Sequence, residues 1–186
     1  MATNSSRAIL DKGEAGKIIY DGNQVFYSPS ISDSSKVRFD AYTWSYFFLF
    51  PYKLNDEGTV WTDYENDSLN QDLFEAQKLT FESGTGDAPD DWDITYASPA
   101  TNLLHAAAYI VTYSKDKNIA EEDPHAIVYK NYKEVNGILL AHSWEFWGWR
   151  DSLGLTDQRG EATLSYFKFH EAGEVDFSVP EGFKEI

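Results

Sequence analysis

The chain has 186 residues and a net charge of −16, from 15 basic and 31 acidic residues, and it contains no cysteine. Such a surface repels nucleic-acid phosphates and anionic lipid headgroups, so we set nucleic-acid binding and docking to anionic membranes aside. The lack of cysteine excludes disulfides, thiol nucleophiles and zinc–thiolate sites. Aromatic residues make up 16 % of the sequence, which predicts a packed core and not a disordered chain.

The first residues are small and polar. We expect residues 1–15 to form a flexible arm or an incomplete strand, followed by a single domain over residues 16–186. Met1–Ser6 has no apolar segment of the kind found in a signal peptide. A β-hairpin is predicted next, because the β-rich runs Lys17–Tyr20 and Gln24–Tyr27 flank an Asp-Gly pair, which favours a tight turn.

The segment Phe39–Tyr52 is dense in aromatic side chains, which make up eight of its fourteen residues. These rings fall on every face of any helix or strand drawn through the segment. Its most apolar part is far shorter than the ~20 residues of a membrane-spanning helix, and Pro51 is expected to end a helix near Phe50. We therefore predict that residues 38–50 are helical and lie against the concave side of a sheet.

From Glu75 onward the apolar residues alternate with period two, which is typical of β-strands. After an acidic loop over residues 55–70, we predict an antiparallel meander of at least five strands. The fold class is therefore mainly β with short helices (α+β), as a curled antiparallel sheet or half-open β-barrel with a helical lid. The predicted strands are Glu75–Ser83, Trp92–Tyr96, Leu103–Tyr113, Ala126–Tyr132, Ile138–Trp149 and Ala162–His170.

The strand over residues 138–149 carries large rings on both faces, since Trp144 and Phe146 alternate with Glu145 and Trp147. Such a strand is either covered on both faces or lines a cavity on one of them. Glu145 is the carboxylate whose pKa we expect burial to raise. The predicted ligand-binding residues, with Glu145 or His142 near a polar mouth, are Phe47, Phe50, His142, Trp144, Glu145, Phe146 and Trp147.

Neither a metal site nor a catalytic motif is evident. Asp87, Asp90 and Asp91 offer oxygens to a hard cation, but their turn is explained by a solvated hairpin loop without one. The four histidines show no short metal-binding spacing, although neighbouring strands could bring two together as axial ligands of a haem. No nucleophile elbow or phosphate loop is present. We therefore predict no cofactor, no metal and no enzymatic activity.

Four stretches of the sequence resemble uncharacterised bacterial envelope proteins related to the LolA/LolB lipoprotein carriers. The resemblance spans about residues 16–186 and implies a half-open β-barrel around a lid of short helices, in the periplasm or cell envelope. It also implies an apolar cavity for acyl chains or another hydrophobic ligand. The carriers' functional arginine has no assigned counterpart here, and strands that the family places before the first hairpin are missing. The stretches are Lys17–Tyr27, Ser45–Leu54, Thr85–Tyr96 and Tyr132–Leu140.

Three functions follow from these patterns. The first is a binding or carrier protein for a hydrophobic small molecule, lipid or lipoprotein acyl chain. The second is a structural or interaction protein with an aromatic core, whose acidic surface would bind a basic protein partner. The third is an enzyme that uses acidic loops around a metal. An open apolar pocket of several hundred Å³ would favour the first function over the second.

Overall fold

A computed structural model describes residues 1–2, 7–86, 88–113 and 115–186. The chain divides into two compact units. One comprises residues 1–55 with residues 170–186, and the other comprises residues 56–169. The sequence predicted one domain over residues 16–186, whereas the structure groups its last seventeen residues with the N-terminal unit.

In the first unit, the described residues form a four-stranded antiparallel sheet with the order β1-β2-β3-β13. The predicted hairpin is confirmed as β2 and β3, and Asp21 Oδ1 accepts hydrogen bonds from the backbone N–H groups of Asn23 and Gln24 across its turn. The predicted arm contains a paired strand, β1. The strands are β1 (Ala8–Asp11), β2 (Lys17–Tyr20), β3 (Val25–Tyr27) and β13 (Lys184–Glu185).

The helix α1 (Val37–Leu49) confirms the predicted helix to within one residue at each end. A 3-10 turn precedes it, where the Asp33 carboxylate accepts a hydrogen bond from the Ser35 N–H. Pro51 stops it, because proline lacks the N–H that a continuing helix needs, and the chain passes into a 3-10 turn over Phe50–Tyr52. The helix packs on β1, β2 and β3. One buried cluster of this unit consists of Ile18, Val25, Tyr27, Val37 and Ala41.

In the second unit, the described residues form a seven-stranded antiparallel sheet with the order β12-β11-β10-β9-β8-β7-β4. A two-stranded hairpin, β5 (Ser68–Leu69) with β6 (Asp72–Leu73), and a short helix α2 (Lys117–Ala120) accompany it. The strands of the large sheet are β4 (Thr59–Asp63), β7 (Glu75–Phe81), β8 (Trp92–Ala97), β9 (Leu104–Tyr109), β10 (His125–Val135), β11 (Ile138–Arg150) and β12 (Gly154–Thr163).

Both faces of this sheet are buried near its centre. On one face, Trp92 on β8 meets Trp149 on β11 edge to face, with ring centroids 6.1 Å apart, and alanines on β9 leave room for these rings. On the other face, Thr95, Ala107 and Ile127 lie side by side on three neighbouring strands and are at most 5 % exposed. The central strands therefore belong to a doubly covered sheet.

The predicted fold class is confirmed: the protein is mainly β with short helices, of the α+β class, and its sheets are antiparallel. The sheets are open and uncurled, so the strong curvature that we expected from the long strands is not seen. The predicted lid position of the helix stays a prediction.

The predicted last strand, Ala162–His170, was wrong. The structure places this strand at β12 (Gly154–Thr163), directly after a three-residue turn. Gly154 has a φ of +74°, a conformation that glycine adopts readily. It allows β12 to begin directly after the turn, well before the predicted start at Ala162. Because this strand is exposed along much of its length, its sequence lacks the apolar alternation that marked the others.

Gly148 on β11 lies at an irregular register between β11 and β12, and a side chain there would have to displace those of Thr156 and Asp157. A Cβ atom there would lie 2.5 Å from Thr156 Oγ1 and 2.6 Å from Asp157 Oδ1. At Gly160, a Cβ atom would meet only Phe146, at an ordinary 3.8 Å. We therefore expect Gly148→Ala to lower the free energy of unfolding by about 1–3 kcal/mol. Gly160→Ala is the matched control and should change the free energy of unfolding little. Urea denaturation checks both, and equal effects would contradict this account of the register.

Candidate functional site

Two of the predicted ligand-binding residues, Phe47 and Phe50, lie in the first unit, on α1 and the turn that follows it. They are 5 % and 3 % exposed. Both rings contact Tyr46, at centroid distances of 5.9 and 5.2 Å. They are therefore packed side chains that support Tyr46, whose own ring faces solvent on one side.

The helix α1 exposes several other large rings. Four aromatic side chains on α1 and the following turn are 40–45 % exposed: Phe39, Trp44, Tyr46 and Tyr52. The buried residues of the same helix, which are Val37, Ala41, Phe47 and Leu49, cover little more than half of its circumference at 3.6 residues per turn. A helix of a globular protein usually presents a polar face to solvent, whereas α1 has none. We call Phe39, Trp44, Tyr46 and Tyr52 the exposed aromatic surface of α1.

The other five predicted residues lie on β11 in the second unit, but they do not share a face. Trp144 is 4 % exposed, and its ring meets Tyr129 on β10 edge to face at 6.1 Å. Phe146 is half-buried on the same face, directly opposite Ile127. Glu145 and Trp147 belong to the opposite face, because successive side chains of a strand point to opposite sides. The ligand-binding role of these five residues stays a prediction.

The expected rise in the pKa of Glu145 was wrong. Lys130 Nζ donates a hydrogen bond of 2.7 Å to Glu145 Oε1, and Trp147 Nε1 donates one of 3.2 Å to Oε2. The ammonium of Lys130 is the larger cause, and together with the indole it lowers the pKa of Glu145 despite partial burial. The sequence does not show this pair, because Lys130 and Glu145 lie on neighbouring strands.

His142 is half-buried, and its ring meets Phe167 edge to face at 4.7 Å. Its Nε2 atom is buried and has no hydrogen-bond partner among the described residues. A buried polar atom without a partner costs about 1–3 kcal/mol. A ligand atom able to hydrogen-bond there would recover that energy. The predicted polar contact at this residue stays a prediction.

A charged cluster that the sequence did not predict lies at the start of β10. Arg159 forms a two-pronged pair with the Asp123 carboxylate, at 2.8 and 3.2 Å, and its Nη1 lies 3.1 Å from His125 Nδ1. Burial, followed by the Arg159 charge, lowers the pKa of His125. Tyr109 stacks on the His125 ring at 5.8 Å. Arg159 and Asp123 are 36 residues apart, so no local motif in the sequence indicates this cluster.

Within the described part of the chain, no group of three or more histidine, aspartate or glutamate side chains could hold a metal ion. Asp90 is exposed, whereas Asp91 accepts hydrogen bonds of 2.7 Å from both the N–H and the hydroxyl of Thr112. Asp87 lies outside the described residues. Among these same residues, none of the helices is long and apolar enough to cross a bilayer.

Comparison with known proteins gives no match to a family model, a curated protein or a solved structure.

We expect Trp144→Ala to lower the free energy of unfolding by about 3–5 kcal/mol, as for other buried rings, because Trp144 is almost fully buried against Tyr129. Trp147→Ala is the comparison variant on the same strand. Its ring is only half-buried, so its loss should cost less. Guanidinium denaturation of both variants measures the difference. An equal or smaller cost at Trp144 would contradict its assignment to the core.

Two histidines make stability depend on pH. Burial lowers the pKa of both His105 and His125 in the folded protein. The unfolded chain therefore takes up protons first as the pH falls below about 6.5, and stability decreases there. We expect His125→Gln to flatten this decrease. Asp123→Asn should steepen it, because the Asp123 charge raises the pKa of His125. Urea midpoints measured against pH test both slopes, and unchanged slopes would refute the assignment.

Proposed function

We propose that this protein is a non-enzymatic binding or carrier protein for a hydrophobic ligand, such as the acyl chain of a lipid or lipoprotein, in the cell envelope. The observation that carries the proposal is the exposed aromatic surface of α1: four large rings on one short helix and its following turn, each 40–45 % exposed. Phe39 and Tyr46 lie seven residues apart, on the same side of the helix, and exposed apolar surface of this kind marks sites for ligands or partners.

The size of this surface is sufficient for measurable binding. A large aromatic side chain buries about 150–250 Å², so four rings exposed to this extent offer roughly 250–450 Å² of apolar area. At about 25 cal/mol per Å², covering all four rings would contribute about 6–11 kcal/mol, and a ligand on the side shared by Phe39 and Tyr46 would gain about half of this before the costs of binding. Because loss of ligand freedom opposes this gain, we expect a dissociation constant in the millimolar range.

The charge of the protein narrows the ligand class. A net charge of −16 repels anionic ligands over the whole surface, so a neutral apolar ligand suits the protein better than a fatty-acid anion. The resemblance of four sequence stretches to the LolA/LolB carriers points the same way, since it implies an acyl chain as the ligand.

A second function uses the same rings. Aromatic side chains are enriched in protein–protein interfaces, and the acidic surface would attract a basic partner. In that case the exposed aromatic surface of α1 would be an interface in an interaction protein, and a small apolar ligand would not bind.

The test is a titration with the neutral apolar fluorophore N-phenyl-1-naphthylamine and with a monoacylglycerol. Phe39→Ser removes a ring that is 45 % exposed, and Phe169→Ser removes one that is 39 % exposed outside α1, which makes it the matched control. We expect the wild type to bind both compounds with quenching of tryptophan emission. Phe39→Ser should weaken binding at least about fivefold, since it removes roughly a quarter of the surface, and Phe169→Ser should leave it unchanged.

Failure of both compounds to bind the wild type would overturn the proposal and favour the interaction protein. Equal loss of binding in the two variants would also overturn it, because the exposed aromatic surface of α1 would then have no special part. Native mass spectrometry of gently purified protein gives an independent readout, in which a copurified lipid is the expected result.

A further inference from the structure

A polar groove runs between the β5–β6 hairpin and the turn that joins β11 to β12, within the second unit. Its volume is about 600 Å³. We call it the amide groove, because three of the nine residues that line it, Asn66, Asn70 and Gln71, carry carboxamides. Its polar lining residues are Asn66, Ser68, Asn70, Gln71, Asp151 and Ser152.

Hydrogen bonds tie the turn at Asp151 to the residues that precede β5. Tyr64 donates its hydroxyl to Asp151 Oδ1 at 2.6 Å, and Asn66 Nδ2 donates to the Asp151 carbonyl at 2.6 Å. Asn66 Nδ2 also donates to Asp151 Oδ1, at 3.1 Å. The hydrogen bonds from Tyr64 and Asn66 to this carboxylate lower the pKa of Asp151, so it is charged at neutral pH. Among the described residues, the donors to this carboxylate bind Oδ1, and Oδ2 is left to accept from a ligand.

A second hydrogen bond ties the β5–β6 hairpin to the start of β12. Asn70 Oδ1 accepts a hydrogen bond of 2.8 Å from the Leu155 N–H. This approach depends on Gly154, since a Cβ atom there would lie 2.5 Å from Asn70 Oδ1. The lining is therefore organised before any ligand arrives, which reduces the entropy that binding costs.

Gln71 is the unusual residue of the amide groove. Asn70 and Gln71 form the turn between β5 and β6, with φ angles of +51° and +77°. Such turns favour Asn-Gly, because the second position needs a positive φ. Gln71 adopts this unfavourable conformation and keeps an amide side chain at the rim of the groove. Strained residues of this kind cluster at binding sites.

The composition of the lining selects the ligand. It contains no lysine, arginine or histidine, so nothing in it would hold a phosphate or another anion. A single carboxylate is too few for a calcium ion, which takes 6–8 oxygen ligands. The Asn66 amide and Asn70 Oδ1 are engaged in hydrogen bonds within the protein. The Gln71 amide, the hydroxyls of Ser68 and Ser152 and the oriented Asp151 carboxylate fit a neutral ligand rich in hydroxyl groups. We propose that the amide groove is a binding site for a neutral saccharide.

The proposal is tested on the full chain, labelled with ¹⁵N, by following amide chemical shifts. The probes are glucose, galactose, N-acetylglucosamine and maltose at millimolar concentration, with sodium phosphate and calcium chloride as counter-probes. We expect at least one sugar to shift the amides of residues 66–71 and 151–155, and we expect phosphate and calcium to leave them unchanged.

Gln71→Gly is the decisive variant. It relieves the positive φ, so the melting temperature should rise, and it removes a ligand-binding amide, so the sugar-induced shifts should weaken at least fivefold. Asn102→Gly is the matched control: Asn102 is exposed with a φ of +56° but does not line the groove, and its replacement should leave sugar binding intact.

Sugar-induced shifts at the amide groove that are lost in Gln71→Gly and kept in Asn102→Gly would support the saccharide site. The proposal is overturned if no probe sugar produces shifts there, if phosphate or calcium binds there instead, or if Gln71→Gly binds sugar as well as the wild type. Its outcome is independent of the apolar titration, because the exposed aromatic surface of α1 belongs to the other unit.

Discussion

The antiparallel pairing of β10 with β11 is the constraint on which the second unit depends. Its register places Tyr129 opposite Trp144 and Val128 opposite Glu145, and this assigns every residue of β11 to one face of the sheet. A shift by one residue would carry Trp144 to the side of Lys130 and would break the Lys130–Glu145 pair. The same register places Gly148 opposite His125, where the absence of a side chain leaves room for Thr156 and Asp157 on β12.

The constraint on the first unit is different, because its helix α1 carries more apolar side chains than the four-stranded sheet can cover. Val37 and Ala41 pack into the sheet core, while Phe47 and Phe50 pack around Tyr46. The remaining rings stay partly in water at a cost in free energy. A protein with 31 acidic residues gains solubility from its charge, and this offsets the tendency of such a helix to aggregate.

The two candidate sites illustrate different physical signals. The exposed aromatic surface of α1 is recognised by an excess of apolar area, which is non-directional and selects ligands only by class. The amide groove is recognised by directional groups held in fixed positions, where Asp151 and Asn70 are each anchored by a backbone or side-chain partner. Hydrogen bonds of this kind discriminate more sharply between ligands. Neither signal depends on a titrating catalytic group.

The sequence by itself determined the local elements, because their signals lie within a few residues of one another. The Asp-Gly pair predicted the β2–β3 hairpin, the aromatic run with Pro51 predicted α1, and period-two alternation predicted most of the large sheet. Only the tertiary structure decided what depends on pairing distant segments: the strand β4, the early start of β12, the Lys130–Glu145 and Arg159–Asp123 pairs, and the amide groove. The physical reason is that side chains 15 to 87 residues apart meet there, across a register that no local pattern specifies.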